Sequence, residues 1–288
     1  MIGLGIMGSA MAGNLMRAGH RVIGYDILAR RRQDHRRAGG QAAPSCRDVG
    51  SRAGTVVCSL PSSEALLQTA AELAESSPPP QIVIDTSTLP IAVKEQARRS
   101  LGARGTILLD CPLSGTGAQA RAKDLVVYAS GDRGACRRAV PILEAFARAQ
   151  YYVGAFGAGS KMKFVANLLV AIHNVAAAEA LVLAMKAGLD PAQVLMVVGD
   201  GAGSSRMLQV RGPMMVKGDY SNAMMTLEIW QKDMTIIADF AREVDCPTPL
   251  FAASAPIYAA ATAMGRQKDT AAVCAVLEEM ANHHRRRS

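Results

Sequence analysis

The first half of the chain alternates short apolar runs with segments of helical periodicity. Such runs, bounded by Gly, Pro or polar residues, are typical of buried strands, and they occur at 20–26, 54–60, 81–85, 106–110, 125–129 and 151–153. Between them, the spacing of apolar residues predicts helices over 9–18, 63–76, 90–101 and 133–148. This alternation predicts an α/β fold with a mostly parallel, doubly wound sheet, whose ligands lie at the carboxyl ends of the strands.

The pattern changes after the glycine-rich segment 154–159. Residues 160–187 predict one long helix that neither Gly nor Pro interrupts, and Gly188 ends it. Further helices are predicted over 191–198, 226–244 and 256–263, without strand-like alternation. We therefore predict two domains joined by the long helix, an α/β domain over 1–156 and an all-α domain over 157–288. The alanine-rich face of the long helix suits a buried core or a subunit contact, and we expect a homodimer or homotetramer.

The first eight residues contain a candidate dinucleotide-binding turn. Gly3, Gly5 and Gly8 have the spacing G-x-G-x-x-G. In a βαβ unit the first glycine makes the turn, the second lets the backbone approach a pyrophosphate, and the third allows close packing of helix on strand. Because 26 of the 288 residues are glycine, a plain turn before a packed helix would explain these positions equally well.

Asp26 makes the dinucleotide interpretation specific. It ends the predicted strand 20–26 and lies 21 residues after Gly5, near the spacing of about 20 residues at which an acid accepts ribose hydroxyls in Rossmann-type folds. A carboxylate there favours NAD, and the nearby Arg30 and Arg31 keep NADP as the alternative. Only two residues precede Gly3, so we expect a first strand that has lost most of its length.

Two further segments carry candidate chemistry. Lys163 and Asn167 are four residues apart near the start of the long helix, so they project from one face, beside the expected cleft between the domains. A desolvated lysine can transfer protons, although an ordinary surface pair has the same spacing. Ser114 follows a predicted strand, and with free N–H groups at Gly115 and Thr116 it would form a carboxylate-binding nest. A plain glycine-rich turn is the alternative there.

Composition narrows the function classes. The net charge is +8, but the basic residues are dispersed except at 30–37 and 283–287, and the 4% of aromatic residues leaves little for stacking on bases. We therefore expect no nucleic-acid partner. The six cysteines are scattered without metal-ligand spacing, which predicts reduced thiols, a cytoplasmic location and no metal. No uninterrupted apolar run reaches the roughly 18–20 residues of a membrane span, so no membrane association is expected.

Four ordered motifs make the sequence similar to the β-hydroxyacid dehydrogenase family, whose members include 3-hydroxyisobutyrate dehydrogenase and tartronate semialdehyde reductase. The motifs are the glycines of 3–8 with Asn14 and Gly19-His20, the segment 110–115, the segment 157–167, and Lys232-Asp233. The resemblance covers nearly the whole chain. It implies an NAD(P)-dependent oxidoreductase that acts on a small 3-hydroxy acid and has a 6-phosphogluconate dehydrogenase-like second domain.

The resemblance also implies roles for individual residues. Lys163 would be the catalytic lysine that exchanges a proton with the substrate oxygen, and Asn167 would help to place the substrate. Ser114 and Gly115 would hold its carboxylate. The implied cofactor contacts are Gly3, Gly5, Ile6, Met7, Gly8, Asp26, Leu60, Pro61, Thr88 and Lys232.

Departures from the family pattern leave the substrate open. Thr116 replaces the usual second glycine beside the carboxylate site. The stretch 207–220 resembles most the branch that contains L-threonate dehydrogenase, yet Arg206 stands where that branch commonly has a bulky apolar residue. A second anionic group on the substrate or simple solvent exposure would explain Arg206. The alternative functions are an imine or other carbonyl reductase and a non-catalytic nucleotide-binding module.

Overall fold

A computed structural model describes residues 1–285, so the end of the basic run 283–287 lies outside the described residues. The strands are β1 (Ile23–Gly24), β2 (Gln41–Ala42), β3 (Thr55–Cys58), β4 (Ile82–Asp85), β5 (Ile107–Asp110), β6 (Leu113–Ser114), β7 (Val126–Ser130) and β8 (Ala149–Gly154). The helices of the first half are α1 (Ile6–Arg17), α2 (Ala29–Arg37), α3 (Cys46–Arg52), α4 (Ser63–Ala74), α5 (Ile91–Gly102), α6 (Gly117–Arg121) and α7 (Arg133–Phe146).

The second half of the described chain is helical. Its α-helices are α8 (Ala158–Lys186), α9 (Pro191–Asp200), α10 (Arg206–Lys217), α11 (Leu227–Glu243), α12 (Pro249–Met264) and α13 (Val273–Met280), and a 3₁₀ turn, Thr270–Ala272, precedes the last of them. The prediction of an α/β part followed by an all-α part is confirmed.

The main sheet is mostly parallel at its centre and mixed at one side. Strands β3, β4 and β5 are parallel neighbours, and β1 pairs in parallel with β2. Strand β7 is antiparallel to β5 and β6 but parallel to β8. Ile2 makes isolated parallel bridges to both Tyr25 and Cys58, so it joins the β1–β2 pair to the larger sheet.

The first strand is as short as the sequence suggests. Its bridges are the two that Ile2 makes to Tyr25 and Cys58. The strand predicted over 20–26 is likewise shorter in the structure, where β1 covers Ile23–Gly24 and Tyr25 adds an isolated bridge. The backbone of Met1 bonds to Ile23 and Tyr25, and the Gly3 N–H donates to the Tyr25 carbonyl oxygen, so the short first strand still pairs with β1 and the residue after it.

Alternation along the central strands builds two hydrophobic layers. Val57, Ile84 and Leu109 belong to a cluster with residues of α1 and α7. Their neighbours Val56 and Val83 belong to a second cluster with residues of α3, α4 and α5. Since successive side chains point to opposite faces of a sheet, helices cover both faces, as a doubly wound fold requires.

Elements without an apolar period were not predicted. Helix α2 reads ARRRQDHRR and buries only His35, so apolar spacing cannot reveal it.

Helix α12 starts at Pro249, seven residues before the predicted start at Pro256. Pro249 suits the first helical turn because it needs no hydrogen-bond donor there, and Pro256 is accommodated inside the helix.

The chain divides into two compact units, Met1–Lys163 and Phe164–Ser288. Their boundary falls inside α8, so the boundary at 156/157 stays a prediction.

Helix α8 has 29 residues, and its most apolar window has a mean hydropathy of 1.9, so the helix is long and apolar enough for a membrane span. Of that window, 44% is buried, and core helices of soluble proteins meet the same criterion. All six cysteines are free thiols, and Cys246 is the exposed one.

Candidate active site

The glycine loop of residues 3–8 has the shape of a phosphate cradle. Gly3 has a φ of +82°, and a Cβ there would overlap the carbonyl oxygen of Ser59. A Cβ on Gly8 would overlap the carbonyl oxygen of Gly3. At Gly5, by contrast, a Cβ would meet only Arg31 Nη1 at 3.8 Å. The outer glycines are therefore required by close backbone packing, and the middle one borders open space.

The start of α1 supplies hydrogen-bond donors to that space. Gly5 is the N-cap, and the first turn, which includes Ile6 and Met7, contains no acidic residue. Unpaired N–H groups and the positive end of the helix dipole favour an anion at such a position. The Ile6 side chain is 68% exposed. The loop thus fits the pyrophosphate of a dinucleotide.

Asp26 lies at the end of β1 but has more partners than the sequence suggests. Its Oδ2 accepts hydrogen bonds from Leu4 N at 2.8 Å and Arg31 Nη1 at 3.2 Å, and its Oδ1 accepts one from Leu28 N at 2.9 Å. The carboxylate is 4% exposed, whereas the Arg31 side chain is 46% exposed. Of about four acceptor positions on a carboxylate, three are occupied. Asp26 therefore anchors the glycine loop and has one position left for a ribose hydroxyl.

The loops after β3 and β4 meet at the same edge of the sheet. Leu60 N donates to Ser87 Oγ at 2.9 Å, which ties the two loops together. Thr88 is half-buried and Pro61 is exposed. Because β3 and β4 are parallel, Leu60 and Thr88 follow their carboxyl ends, where ligands of this fold class bind.

The segment Ser114–Thr116 differs from the prediction in one respect. Ser114 ends β6, Gly115 has a φ of +135°, and Thr116 is the N-cap of α6. The Thr116 N–H donates to Gln119 Oε1 at 3.0 Å as part of a capping box. The predicted pair of free amides at Gly115 and Thr116 is therefore wrong, because the helix cap uses the second one.

Lys163 follows the tightly packed first turn of α8. A Cβ on Gly159 would lie 2.7 Å from the carbonyl oxygen of Asp110, so the helix begins in close contact with the end of β5. Lys163 is half-buried, while Lys161 is exposed. Lys163 and Asn167 are one helical turn apart, as their spacing predicts.

Asn167 and Lys232 meet at a third residue, Asp233. The Asn167 Nδ2 donates to Asp233 Oδ2 at 3.0 Å, and Lys232 Nζ donates to Asp233 Oδ1 at 2.8 Å. Asn167 and Asp233 are both 4% exposed. Because a carboxylate only accepts, the Asn167 amide turns its nitrogen to Asp233 and its oxygen away. Asp233 therefore fixes the orientation of two predicted site residues.

Asp233 belongs to the Lys232-Asp233 motif, but the sequence assigned it no role. Its adjacency to Lys232 was visible, but the hydrogen bond to Asn167 joins residues 66 positions apart. Arg206, the unexplained departure from the family pattern, is exposed on the first turn of α10. The structure thus places Arg206 in solvent.

Comparison with protein families matches nearly the whole chain in two segments. Residues 1–154 match the NAD binding domain of 6-phosphogluconate dehydrogenase. Residues 157–277 match the family described as NAD-binding of NADP-dependent 3-hydroxyisobutyrate dehydrogenase.

Individual relatives agree with those matches. The chain is 36% identical to L-threonate dehydrogenase of Cupriavidus necator over 269 residues, which cover 92% of this chain and 90% of that protein. The crystal structure of 3-hydroxyisobutyrate dehydrogenase from Salmonella typhimurium superimposes with a TM-score of 0.85 at 30% identity, covering 96% and 98% of the two chains. The Mycobacterium tuberculosis 3-hydroxyisobutyrate dehydrogenase, solved with L-serine, gives a TM-score of 0.87 at 29% identity, covering 96% and 97%.

Proposed function

The chain belongs to the β-hydroxyacid dehydrogenase family of NAD(P)-dependent oxidoreductases, and we propose that it transfers a hydride between NAD and the hydroxyl carbon of a small 3-hydroxy acid. The observation that carries the proposal is that Lys163 lies one turn before Asn167 on α8 and that buried Asp233 fixes the Asn167 amide. A proton-transfer group beside a fixed amide is what alcohol oxidation requires of the protein.

The cofactor is assigned to the glycine loop and the neighbouring strand ends. Gly3, Gly5 and Gly8 shape the cradle, and the start of α1 at Ile6 and Met7 offers N–H groups to the phosphates. Asp26 takes a ribose hydroxyl, and Leu60, Pro61 and Thr88 contact the cofactor at the strand ends. The family resemblance assigns Lys232 a further cofactor contact. When bound, NAD supplies the hydride acceptor.

Lys163 is assigned the proton transfer. In the oxidation direction its neutral amine accepts the hydroxyl proton as the hydroxyl carbon is oxidised, and in the reverse direction its ammonium returns that proton to the carbonyl oxygen. Oxidation therefore uses the amine form of Lys163, and reduction uses its ammonium form.

The substrate carboxylate is assigned to Ser114 and Gly115. Ser114 can donate its hydroxyl proton to a carboxylate oxygen, and the positive φ of Gly115 turns the backbone after β6. Because the capping box uses the Thr116 N–H, Thr116 shapes this site without donating its amide. The Asn167 Oδ1, directed away from Asp233, is an acceptor for a second substrate hydroxyl.

NAD is the proposed cofactor, with NADP as the alternative. The carboxylate of Asp26 disfavours a 2′-phosphate, but the Arg31 guanidinium lies 3.2 Å from it and offsets part of its charge. We therefore propose a preference for NAD that is smaller than an isolated carboxylate would give.

A screen of hydroxy acids tests the proposed function. NADH formation would be followed by absorbance with 3-hydroxyisobutyrate, glycerate, threonate and L-serine, each with NAD and with NADP. We expect turnover of at least one acid, with NAD preferred. Cyclic imines with reduced cofactor belong in the same screen. Turnover of imines alone would replace the proposal by imine reduction, and binding of NADH without turnover of any substrate would favour a non-catalytic module.

A further inference from the structure

Lys94 of α5 is a fully buried lysine that joins the ends of two strands. Its Nζ donates to Asp110 Oδ1 and to the carbonyl oxygen of Ser87, each at 2.7 Å, and lies 3.0 Å from Asp85 Oδ2. Burial alone would lower the pKa of Lys94, but Asp110 and Asp85 more than offset burial and raise it above its ordinary value. The Lys94 ammonium therefore donates two hydrogen bonds and forms a buried ion pair with Asp85.

One chain of hydrogen bonds runs from Lys94 through Asp85 and Ser87 to Leu60. We call it the cofactor arm, because it ends at the strand ends where the cofactor is proposed to bind. Asp85 Oδ1 accepts hydrogen bonds from the Ser87 hydroxyl at 2.6 Å and from Ser87 N at 3.1 Å. The Ser87 oxygen in turn accepts from Leu60 N at 2.9 Å. Lys94 and Asp85 thus hold the loops that contain Leu60 and Thr88.

A second chain of hydrogen bonds, the helix arm, runs from Lys94 through Asp110 to Ser160 in the first turn of α8. Asp110 Oδ2 accepts from Ser160 N, and Asp110 Oδ1 accepts from the Ser160 hydroxyl, both at 2.8 Å. Ser130 Oγ accepts from Gly159 N at 2.9 Å and also donates to Asp110. The cluster holds one lysine and two carboxylates, and the excess negative charge lies at the positive end of α8, where the helix dipole favours it.

We propose that Lys94 is a positioning residue that holds the cofactor edge and the start of α8 in one fixed arrangement. This inference rests on the proposed function, because it gives the arrangement its purpose: Lys163 lies three residues after Ser160. Lys94 acts indirectly in both directions. It acts through Ser87 on the loops that contain Leu60 and Thr88, and through Asp110 on the start of α8.

The test separates the two arms with variants that remove one hydroxyl each. Ser87→Ala weakens the cofactor arm by removing the hydroxyl that bonds to Asp85 and Leu60. Ser160→Ala weakens the helix arm by removing the hydroxyl that bonds to Asp110. The backbone bonds of both serines remain, and Lys94→Met affects both arms. Ser76→Ala is the matched control, because Ser76 is a fully buried serine of the same unit whose hydroxyl bonds to Arg47 and Glu72 carbonyls. The readouts are the Kd for NADH from fluorescence titration, kcat at saturating NAD, and hydrogen exchange of backbone amides.

The expected result is a split between the arms. A lost buried hydrogen bond is worth about fivefold in an equilibrium or rate constant. Ser87→Ala should raise the Kd for NADH by about that factor with kcat unchanged. Ser160→Ala should lower kcat by a similar factor and speed exchange at amides 158–163, with the Kd unchanged. Lys94→Met should show both effects, and Ser76→Ala neither.

Two results would overturn the proposal. One is a folded Lys94→Met protein with wild-type Kd and wild-type exchange in both segments. The other, which decides the matter if Lys94→Met does not fold, is that Ser87→Ala and Ser160→Ala change Kd, kcat and exchange no more than Ser76→Ala does. NADH binding and exchange need no turnover, so they still test the positioning role if the substrate screen finds no active acid and the proposed function fails.

Discussion

Two regions of the molecule position their functional groups by different means. One is the glycine loop of residues 3–8, and the other is the Asp233 cluster, which consists of Asn167 on α8 and Lys232 and Asp233 on α11. In the loop, backbone atoms do the positioning: Gly3 and Gly8 allow close packing, and α1 offers its N–H groups. In the cluster, side chains do it: Asn167 and Lys232 are oriented by Asp233. A backbone site is sensitive to added volume, whereas a side-chain site is sensitive to lost charge and hydrogen bonds. The two regions should therefore fail in different ways when they are mutated.

The largest effect is expected at the lysine of α8. Lys163→Ala should lower kcat by about 10²–10⁴-fold, the usual worth of general acid–base catalysis, and leave the Kd for NADH within about twofold, since the loop supplies most of the binding. Lys161→Ala is the control, because Lys161 is exposed two residues away. Steady-state kinetics that show near wild-type turnover for Lys163→Ala would remove its catalytic role.

A change of volume should disable the loop. Gly8→Ala places a Cβ against the carbonyl oxygen of Gly3, so the loop must shift, and we expect the Kd for NADH to rise by about tenfold or more, or about 1.4 kcal/mol. Gly13→Ala in the same helix meets only the flexible end of Arg17 at 3.8 Å. It should bind NADH normally and raise the unfolding free energy by about 0.5–1 kcal/mol. Equal binding by both variants would contradict the cradle.

A change of charge should disable the cluster. Asp233→Asn keeps the volume but removes the charge that Asn167 and Lys232 bond to. Hydrogen bonds to a charged group are worth about 1.5–3 kcal/mol, so kcat/KM for the acid should fall by about tenfold or more. Asp239→Asn is the matched control on the same helix, since Asp239 is 58% exposed. A kcat/KM for Asp233→Asn equal to that of the control would show that the cluster is not oriented by charge.

A smaller effect is expected at Arg31, the side chain that lies against the loop. Arg31→Ala frees one acceptor position on Asp26 and removes a positive charge, so the preference for NAD over NADP should increase by about fivefold, the worth of one exposed ion pair. Arg30→Ala is the control, because Arg30 is 91% exposed and 3.9 Å from Asp34. The ratio of kcat/KM values with the two cofactors measures the effect. An unchanged ratio would mean that Arg31 leaves cofactor choice to Asp26 alone.

The same difference explains what the sequence could predict. The glycine loop, Asp26 and the central strands follow from local spacing, because each depends on residues a few positions apart or on a regular period. The Asn167–Asp233 bond and the cluster around Lys94 join residues that only folding brings together. The apolar pattern also could not predict helix α2, because that helix has no apolar face. It could not predict that the Thr116 N–H is used, because the helix cap competes for that donor.

Hydride transfer to the cofactor held by the loop is the central claim, and isotope transfer tests it most directly. An active 3-hydroxy acid found in the screen would be prepared with deuterium on its hydroxyl carbon and oxidised in ordinary water with NAD. We predict that the deuterium appears in the reduced cofactor by mass spectrometry and that kcat or kcat/KM is lower than with the unlabelled acid. Reduced cofactor without deuterium would contradict direct transfer from the hydroxyl carbon.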